Sequence, residues 1–306
     1  MTSTPSPAAG TAATVLLAGA TGDLGARLAR ELVARGAGVR ALVRPATDRA
    51  ALARLTALGV TPVEADYADP GALVAAASGA DVVVSAVSGL RPVVVEAQTR
   101  LLDAAVRAGV PRFVPSDFSI DFTGIPEGSN RNLQLRRDFR ERVDASAIRA
   151  TSVLNGAFAD MLTGQAPLVL FDRQRVLYWR DADQPMDFTT MDDTASFTAD
   201  AALDTGAPRF LRIAGDQVSA RDIAATMTEL TGVRHRLTWA GGIAALRVMA
   251  RIGRALSRDR EALYPAWQGM QYFGNMFAGE GRSRPLANDR YGVRPWTSAG
   301  EVLAAR

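Results

Sequence analysis

The 306-residue sequence contains no cysteine and no lysine, and its only histidine is His235. Without cysteine the chain cannot form disulfides, a thiolate nucleophile or a cysteine-ligated metal site. Without lysine it cannot form a Schiff base, a Walker-type phosphate site or a catalytic Tyr–Lys pair. His235 lies between two arginines on a predicted strand, where we do not expect a catalytic base. A lone histidine and the lack of acidic residues at metal-ligand spacing predict that no metal is bound.

Positive charge in this sequence comes from arginine alone. The chain has 35 basic and 32 acidic residues, a formal net charge of +3 and a pI of about 9.8. Arginine keeps its proton to very high pH, so the high pI reflects the choice of basic residue. The arginines are spread along the chain rather than clustered, and we expect no nucleic-acid partner.

Long apolar runs are also absent. No window approaches the ~18–20 apolar residues that a membrane span needs. The segment Met1–Ala12 is rich in Ser, Thr, Pro and Ala and lacks the basic start and apolar core of a signal peptide. These features predict a disordered tail over residues 1–12 and a cytoplasmic protein with no membrane partner.

Strand and helix patterns alternate over residues 13–154. Asp81–Val87 is nearly all valine, as expected for a strand buried on both faces. The other predicted strands are Thr14–Ala18, Val39–Val43, Thr61–Ala65, Arg112–Pro115 and Ser146–Leu154. The predicted helices are Leu24–Arg35, Arg49–Leu58, a short helix capped by Asp69, Val93–Ala108 and Leu133–Val143. This alternation predicts an α/β fold with a Rossmann-type, doubly wound parallel sheet.

The alternation ends after Leu154, which predicts a smaller C-terminal α/β substrate cap over residues 155–306. Residues 187–205 are expected to pack back on the first region. Strands are predicted at Leu168–Phe171, Arg175–Tyr178 and Arg209–Ile213. Helices are predicted at Asp192–Leu203, Ser219–Leu230, Ile243–Leu256 and Glu261–Phe277. Ser219 and Asp222 form a capping-box pattern in which Asp replaces the usual Glu.

Two features of this C-terminal region have more than one interpretation. Its aromatic residues either line an apolar substrate pocket or fill the core; they are Trp239, Tyr264, Trp267, Tyr272, Phe273 and Phe277. The predicted helix Ile243–Leu256 carries Arg247, Arg251 and Arg254 on an apolar background. Such a helix either contacts a membrane surface or partner, or covers a pocket with its arginines in water.

A glycine-rich turn follows the first predicted strand. Its sequence is Gly19-Ala20-Thr21-Gly22-Asp23-Leu24-Gly25, and it opens an amphipathic helix. The three glycines permit a tight turn, a close backbone approach to a pyrophosphate and close packing of the helix on the strand. The helix N-terminus offers unpaired N–H groups to an anion. The turn therefore predicts a dinucleotide-binding site.

The second predicted strand ends in Leu42-Val43-Arg44. In Rossmann proteins that bind NAD, an acidic residue near this place contacts the ribose hydroxyls. Arg44 instead suits a 2′-phosphate through charge-assisted hydrogen bonds. The predicted cofactor is NADP(H).

Several stretches of the sequence resemble the NmrA-like group of atypical short-chain dehydrogenases, which includes isoflavone reductase-like proteins. The most specific is Arg112-Phe113-Val114-Pro115-Ser116-Asp117-Phe118. The others are the glycine-rich turn, Asp81–Val87, Asn155-Gly156-Ala157-Phe158, Asp193-Thr194-Ala195 and Asn288-Asp289-Arg290-Tyr291. The resemblance covers nearly the whole chain after the tail.

The resemblance implies a role for each stretch in binding the cofactor. Thr21, Gly22, Asp23 and Leu24 are expected at the pyrophosphate, together with Gly19 and Gly25. The other implied positions are Asp66 and Tyr67 near the adenine, Ser85, Ala86 and Val87 along the ribose and nicotinamide, Pro115, Ser116 and Asp117 beside the nicotinamide, and Asn155 and Phe158 at the ring or substrate.

One position departs from the pattern of the family. Reductases of this group carry a Lys one turn before an Arg pair, and here Asn132 precedes Arg136-Arg137. An amide cannot supply a positive charge or a proton of useful pKa. Asn132 and Ser116 are therefore expected to orient the hydride acceptor, with the proton coming from water, Asp117, Tyr178 or Tyr264.

Three functions remain open on the sequence. The first is an NADPH-dependent reductase that acts on a carbonyl, enone or imine of a small aromatic or polyketide-like metabolite. The second is a non-catalytic NADP(H) sensor that regulates a partner protein. The third is a redox-neutral cyclase or isomerase that uses Asp117, Asp160 or Asp187 as its acid or base. In each case we expect a monomer or homodimer.

Overall fold

The computed structural model describes residues 12–258 and 261–306. The predicted tail therefore lies, apart from Ala12, outside the described residues. The six strands of the main sheet are β1 (Thr14–Ala18), β2 (Gly38–Val43), β3 (Thr61–Glu64), β4 (Val82–Ser85), β5 (Arg112–Val114) and β6 (Arg149–Ala150). All are parallel, in the order β3-β2-β1-β4-β5-β6. This order confirms the predicted Rossmann-type sheet.

Helices cover both faces of this sheet. They are α1 (Asp23–Ala34), α2 (Arg49–Ala57), α3 (Pro70–Ala77), α4 (Gln98–Arg107) and α5 (Arg131–Asp144). Val15 and Leu17 of β1 face α1 and α2, whereas Leu16 and Ala18 face α3, α4 and α5. Because side chains alternate along a strand, an uninterrupted apolar run supplies both cores.

A sixth helix, α6 (Met191–Leu203), packs on α1 although it comes later in the chain. Phe197 of α6 is fully buried in the core shared with α1 and β1. Arg35 at the end of α1 donates to Asp200 at 2.6 Å and to the Ser196 carbonyl at 3.0 Å. Arg112 of β5 donates to the carbonyls of Ala201 and Ala202 at the end of α6. These bonds fix α6 against the main sheet.

The C-terminal region forms small sheets and four more helices. Its strands are β7 (Ser152–Leu154), β8 (Ala157–Phe158), β9 (Val169–Leu170), β10 (Arg175–Tyr178), β11 (Met186–Thr189), β12 (Phe210–Arg212), β13 (Asp216–Val218) and β14 (Arg236–Trp239). They form the groups β14-β10-β9, β13-β11-β8 and β12-β7. The helices are α7 (Ala220–Thr231), α8 (Ile243–Leu256), α9 (Ala266–Ala278) and α10 (Ala299–Ala304). The predicted capping box of Ser219 and Asp222 opens α7.

Three predicted elements differ in the structure. The predicted strand Ser146–Leu154 is two short strands, because the chain leaves β5 after Thr151 and pairs with β12. The predicted helix Val93–Ala108 begins with a π-helical segment, Pro92–Ala97, and the side chain of the next residue, Gln98, donates to the Val94 carbonyl within it. The predicted helix Glu261–Phe277 begins only at Ala266.

The late start of α9 has a local cause. Pro265 precedes its first residue, and a proline disfavours helical backbone at the residue before it.

Within residues 12–258 and 261–306, no helix has the length and apolar character needed to cross a bilayer.

Candidate functional site

The residues predicted to bind the cofactor follow neighbouring strands of one parallel sheet. Gly19 follows β1, Arg44 follows β2, Ala86 follows β4 and Pro115 follows β5. Because the strands are parallel, their carboxyl ends meet at one edge. The strand order reverses between β1 and β4, where Rossmann-type sheets bind their ligands.

The glycine-rich turn is closely packed at this edge. Gly19 has a φ of +82°, and a Cβ there would lie 2.7 Å from the carbonyl carbon of Ala86. A Cβ on Gly25 would lie 2.1 Å from the carbonyl oxygen of Gly19. The Gly22 N–H donates to that same oxygen at 3.0 Å. Side chains are thus excluded where the loops after β1 and β4 meet, which leaves backbone to face a ligand.

The first turn of α1 has no side-chain cap. Its N-cap residue is Gly22, whereas Asp48, Asp69 and Asn130 cap α2, α3 and α5 with their side chains. No acceptor in the described part of the chain takes the first backbone N–H groups of α1, which are those of Asp23, Leu24 and Gly25. Unpaired amides together with the helix dipole form an anion-binding site.

Arg44 is exposed at the end of β2. Among the residues that the structure describes, no carboxylate lies within ion-pair distance of its guanidinium, so the charge is uncompensated. Burial raises the pKa of the neighbouring Tyr67 to about 12, against the opposing effect of Arg44. Asp66 accepts a hydrogen bond from the Ala68 N–H at 2.8 Å. Arg44, Asp66 and Tyr67 thus lie together beyond β2 and β3.

Two buried polar side chains at this edge lack partners. Ser85 ends β4 and Asn155 follows β7, and both are fully buried. The Ser85 hydroxyl and both amide atoms of Asn155 have no hydrogen-bond partner within the described residues. An unsatisfied buried polar group costs about 1–3 kcal/mol. Both positions therefore favour a polar ligand group or a water molecule beside them.

Ser116 joins the loops after β4 and β5. Its hydroxyl donates to the Val87 carbonyl at 2.6 Å, and its N–H donates to the Gln98 side chain at 3.1 Å. Gln98, at the start of α4, is fully buried. With its hydroxyl proton engaged, Ser116 positions the backbone around Val87 and Pro115. Gln98 escaped the sequence analysis because its contact with Ser116 depends on the fold.

Asp117 is buried beneath this edge of the sheet and is not exposed at the surface where a ligand would bind. It is 1% exposed, and one carboxylate oxygen accepts the Ser152 hydroxyl at 2.6 Å. Burial raises the pKa of Asp117, and the opposing effects come from Ser152 and then Arg136. The catalytic role of Asp117 stays a prediction, and the contact with Ser152 favours a structural one.

Asn132 lies in the first turn of α5 and is 3% exposed. Its side-chain N–H donates to the Leu263 carbonyl at 3.2 Å, and its oxygen accepts from Arg131 at 3.0 Å. The Tyr272 hydroxyl of α9 lies close enough to the Asn132 side chain for that side chain to lower the Tyr272 pKa slightly. Burial raises the pKa of Tyr272 to about 12, while Arg136 has the opposite effect. Tyr272 is thus the titratable hydroxyl at Asn132, and it was not among the predicted proton donors.

The other predicted acids and bases have different surroundings. Tyr178 packs against the C-terminal core, and Tyr264 is 62% exposed. Asp160 accepts the Met191 N–H at the start of α6. Asp187 accepts hydrogen bonds from Gln217 and from the backbone of Ser283. The roles of both aspartates stay predictions, and these bonds favour structural functions.

Pro115, Phe158 and His235 are buried or half-buried, whereas Thr21 in the glycine-rich turn is exposed. Phe158 packs against the core beneath α1 and α6, and Pro115 is buried. His235 is 7% exposed and precedes β14, with a ring nitrogen 2.9 Å from the Val233 carbonyl. A surface cavity of about 510 Å³ lies at the opposite edge of the sheet, beside Arg112 and Arg149. It is separate from the glycine-rich turn.

The sheet order and the glycine-rich turn define a Rossmann-type α/β protein. The sequence model of the NmrA-like family matches residues 11–249, and the chain belongs to this family. Pinoresinol reductase 1 of Arabidopsis thaliana is 31% identical over 239 residues, which cover 73% of this chain and 74% of that protein. Isoflavone reductase homolog IRL of Zea mays is 32% identical over 238 residues, which cover 72% of this chain and 75% of that protein.

The fold is also similar to that of a solved structure, AtPrR2 with NADP+ and (+)pinoresinol. The two have a TM-score of 0.79 and are 22% identical. The similarity covers 97% of this chain and 99% of that one, so it includes both the main sheet and the C-terminal region.

Proposed function

We propose that this protein is an NADPH-dependent reductase that delivers hydride to a carbonyl, enone or imine of a small aromatic or polyketide-like metabolite. The observation that carries the proposal is a pair of features at one sheet edge. The uncapped N-terminus of α1 follows β1, and the uncompensated Arg44 follows the adjacent β2. The names of the two plant relatives support a reductase, and the pinoresinol complex supports an aromatic substrate.

The residues at this edge fit a phosphorylated dinucleotide. The first-turn amides of α1 would hold its pyrophosphate, and Arg44 its 2′-phosphate. Asp66 and Tyr67 would lie beside the adenine. The buried, unpartnered Ser85 and Asn155 would find hydrogen-bond partners toward the ribose and nicotinamide. When bound, NADPH supplies the hydride.

Asn132 and Tyr272 would act on the hydride acceptor. A phenol with a pKa near 12 keeps its proton at neutral pH, and it can donate that proton to an alkoxide or enolate as negative charge develops. Asn132 would hold the Tyr272 hydroxyl in place, and Arg136 would favour the phenolate that remains. Ser116 would fix the loops on either side through its bond to Val87.

The sensor is the second candidate, and one observation favours it. The Asn132 amide already has partners in Leu263 and Arg131, and by the resemblance of the sequence Asn132 is expected to stand where the family's reductases carry a Lys. A redox-neutral enzyme has less support, because Asp160 and Asp187 both hold backbone N–H groups.

Calorimetry and turnover together distinguish these functions. Purified protein is titrated with NADPH and with NADH, and NADPH oxidation is then followed against enones, quinones, aryl ketones and pinoresinol-type lignans. We expect preferential NADPH binding and oxidation with at least one of these classes. Absence of binding to either nucleotide would overturn both the reductase and the sensor. Tight binding without turnover on the whole panel would favour the sensor.

A further inference from the structure

Helix α8 carries an apolar surface that nothing in the described chain covers. The helix buries Leu246 and Ala250 against the C-terminal region. Four apolar side chains on another face are between two fifths and four fifths exposed: Val248 (48%), Met249 (42%), Ile252 (53%) and Leu256 (77%). We call these four residues the α8 stripe.

The α8 stripe is continuous along the helix. Val248, Ile252 and Leu256 are four residues apart, and Met249 lies beside them, so all four fall within an arc of about 100°. Single exposed apolar residues are common on proteins, but a contiguous apolar surface marks an interaction site. The stripe extends over the last two and a half turns of α8, from Val248 to Leu256.

The charged residues of α8 itself are all arginines, and the nearest acidic residues in the sequence are Glu229, Asp259 and Glu261. From Leu230 to Arg258 the sequence contains six arginines and no aspartate or glutamate. Arg251 borders the stripe on α8, and Arg258 follows the end of the helix; both are exposed, and neither has a carboxylate within ion-pair distance in the described ranges. Arg247 pairs with Glu280, and Arg254 lies over the Trp267 ring. Within the described residues, Arg251 therefore places an unpaired positive charge beside the stripe, and Arg258 adds a second exposed guanidinium just past its end.

We propose that the α8 stripe docks on an anionic lipid surface. An amphipathic helix with aliphatic residues on one face and arginines beside them lies in the plane of a membrane interface, with its apolar side chains at the acyl boundary and its guanidinium groups at the phosphates. Trp239 and Tyr264, which flank α8 in sequence, are 63% and 62% exposed. Aromatic rings with a polar atom are enriched at such interfaces.

A second copy of the chain fits this surface less well. In a twofold dimer the same surface meets itself, and α8 contains no acidic residue to pair with Arg251 or Arg258 of the other copy. All four residues of the stripe lie on one helix, α8. The docking is peripheral and is independent of the proposed reductase activity, but it departs from the sequence-based expectation of no membrane partner.

Vesicle sedimentation tests the proposal on the full chain. We expect co-sedimentation with vesicles of phosphatidylglycerol and phosphatidylcholine, weaker binding at high salt, and little binding to pure phosphatidylcholine. Replacing both Arg251 and Arg258 with Gln should weaken binding about 25-fold, because each arginine at an anionic surface contributes about a factor of five. Ile252→Asp should abolish binding, since it places a carboxylate at the centre of the α8 stripe.

Matched changes on α4 serve as controls. Val106→Asp and Arg100→Gln alter exposed positions of the same type and should leave vesicle binding unchanged. Circular dichroism of each variant tests that the fold is kept. Failure to bind anionic vesicles, or equal binding by wild type and Ile252→Asp, overturns the proposal. A wild-type dimer in analytical ultracentrifugation that Ile252→Asp converts to a monomer, without vesicle binding, assigns the stripe to a second copy instead.

Discussion

Arg44 is the residue on which the choice of cofactor depends. Its guanidinium is exposed at the end of β2 with no carboxylate partner in the described chain, so it can pair fully with a phosphate. Arg44→Ala should weaken NADPH binding about 10–100-fold, because a charge-assisted hydrogen bond contributes about 1.5–3 kcal/mol. NADH binding should change little, since NADH lacks the 2′-phosphate.

Calorimetry with both nucleotides measures this difference. Arg49→Ala is the matched control, because Arg49 is also exposed and lies in the following helix, α2. Equal losses of affinity for NADPH and NADH in Arg44→Ala would contradict the prediction that Arg44 binds the 2′-phosphate of NADPH.

Tyr272 is the residue that the structure adds to the candidate site. Tyr272→Phe removes the hydroxyl at Asn132 and should lower kcat about 10²-fold or more, the usual contribution of a general acid. The dissociation constant of NADPH should stay the same. Burial raises the pKa of Tyr272 to about 12, so the group stays protonated between pH 6 and 9, and the wild-type rate should show no step from it in that range.

Single-turnover kinetics on an active substrate give the rate, and calorimetry gives the affinity. Tyr264→Phe alters an exposed hydroxyl and should behave like wild type. An unchanged rate in Tyr272→Phe would indicate that water, and not Tyr272, supplies the proton.

Asp200 anchors helix α6 through ion pairs with Arg35, at the end of α1, and with Arg294. It lies between Arg35 and Arg294, with a contact of 2.6 Å to each. Burial by itself would raise the pKa of Asp200, but the hydrogen bonds from Arg35 and Arg294 outweigh it and hold the pKa below its usual value. A carboxylate with a depressed folded-state pKa stabilises the fold above its unfolded-state pKa, and this stabilisation is lost as pH falls through the folded value.

Asp200→Asn should therefore lower the free energy of unfolding at pH 7 by about 1.5–3 kcal/mol, the range for charged hydrogen bonds. The difference from wild type should shrink as pH falls below about 4, where an unfolded aspartate gains its proton. Denaturant unfolding at both pH values checks this. Asp103→Asn, at an exposed position of α4, is the control, and a difference that does not vary with pH would contradict the assignment.

The sequence predicted most accurately those strands and helices whose formation depends on residues close together in the chain. The limits of β1, β10 and α8 agree with the predictions, because an apolar run or a 3.6-residue period lies within each segment. The two-residue β8 and the short β13 escaped prediction, since they exist only through pairing with β11.

The residues of the candidate site likewise fall into those that the sequence could predict and those that it could not. The glycine spacing of the turn at Gly19 and the position of Arg44 are visible in the sequence, because each depends on a few neighbouring residues. The pairs Ser116–Gln98 and Asn132–Tyr272 join residues from different elements. Only the packing of α4 and α9 brings those side chains together, and no spacing rule encodes it.

The whole molecule should respond to the cofactor as one cooperative unit. Asp121, in the loop after β5, pairs with Arg212 of β12 at 2.5 Å, and Arg112 holds the end of α6. With NADPH at 100 times its dissociation constant, the free energy of unfolding should rise by about 2.7 kcal/mol. Calorimetric unfolding should show one transition that shifts as a whole. Two transitions, only one of which shifts, would contradict this coupling.

The position of α6 in the chain has a consequence during synthesis. Phe197 and its neighbours cover part of the face of the sheet that carries Val15, Leu17 and Val84, yet α6 begins more than forty residues after the last strand of that sheet. A nascent or truncated chain that stops at Leu154 has every strand of the parallel sheet, with α1 and α2 on this face, but leaves the part of the core that α6 covers exposed to water. We therefore expect a fragment that ends where the strands end to be less stable and more prone to aggregate than one that continues through α6.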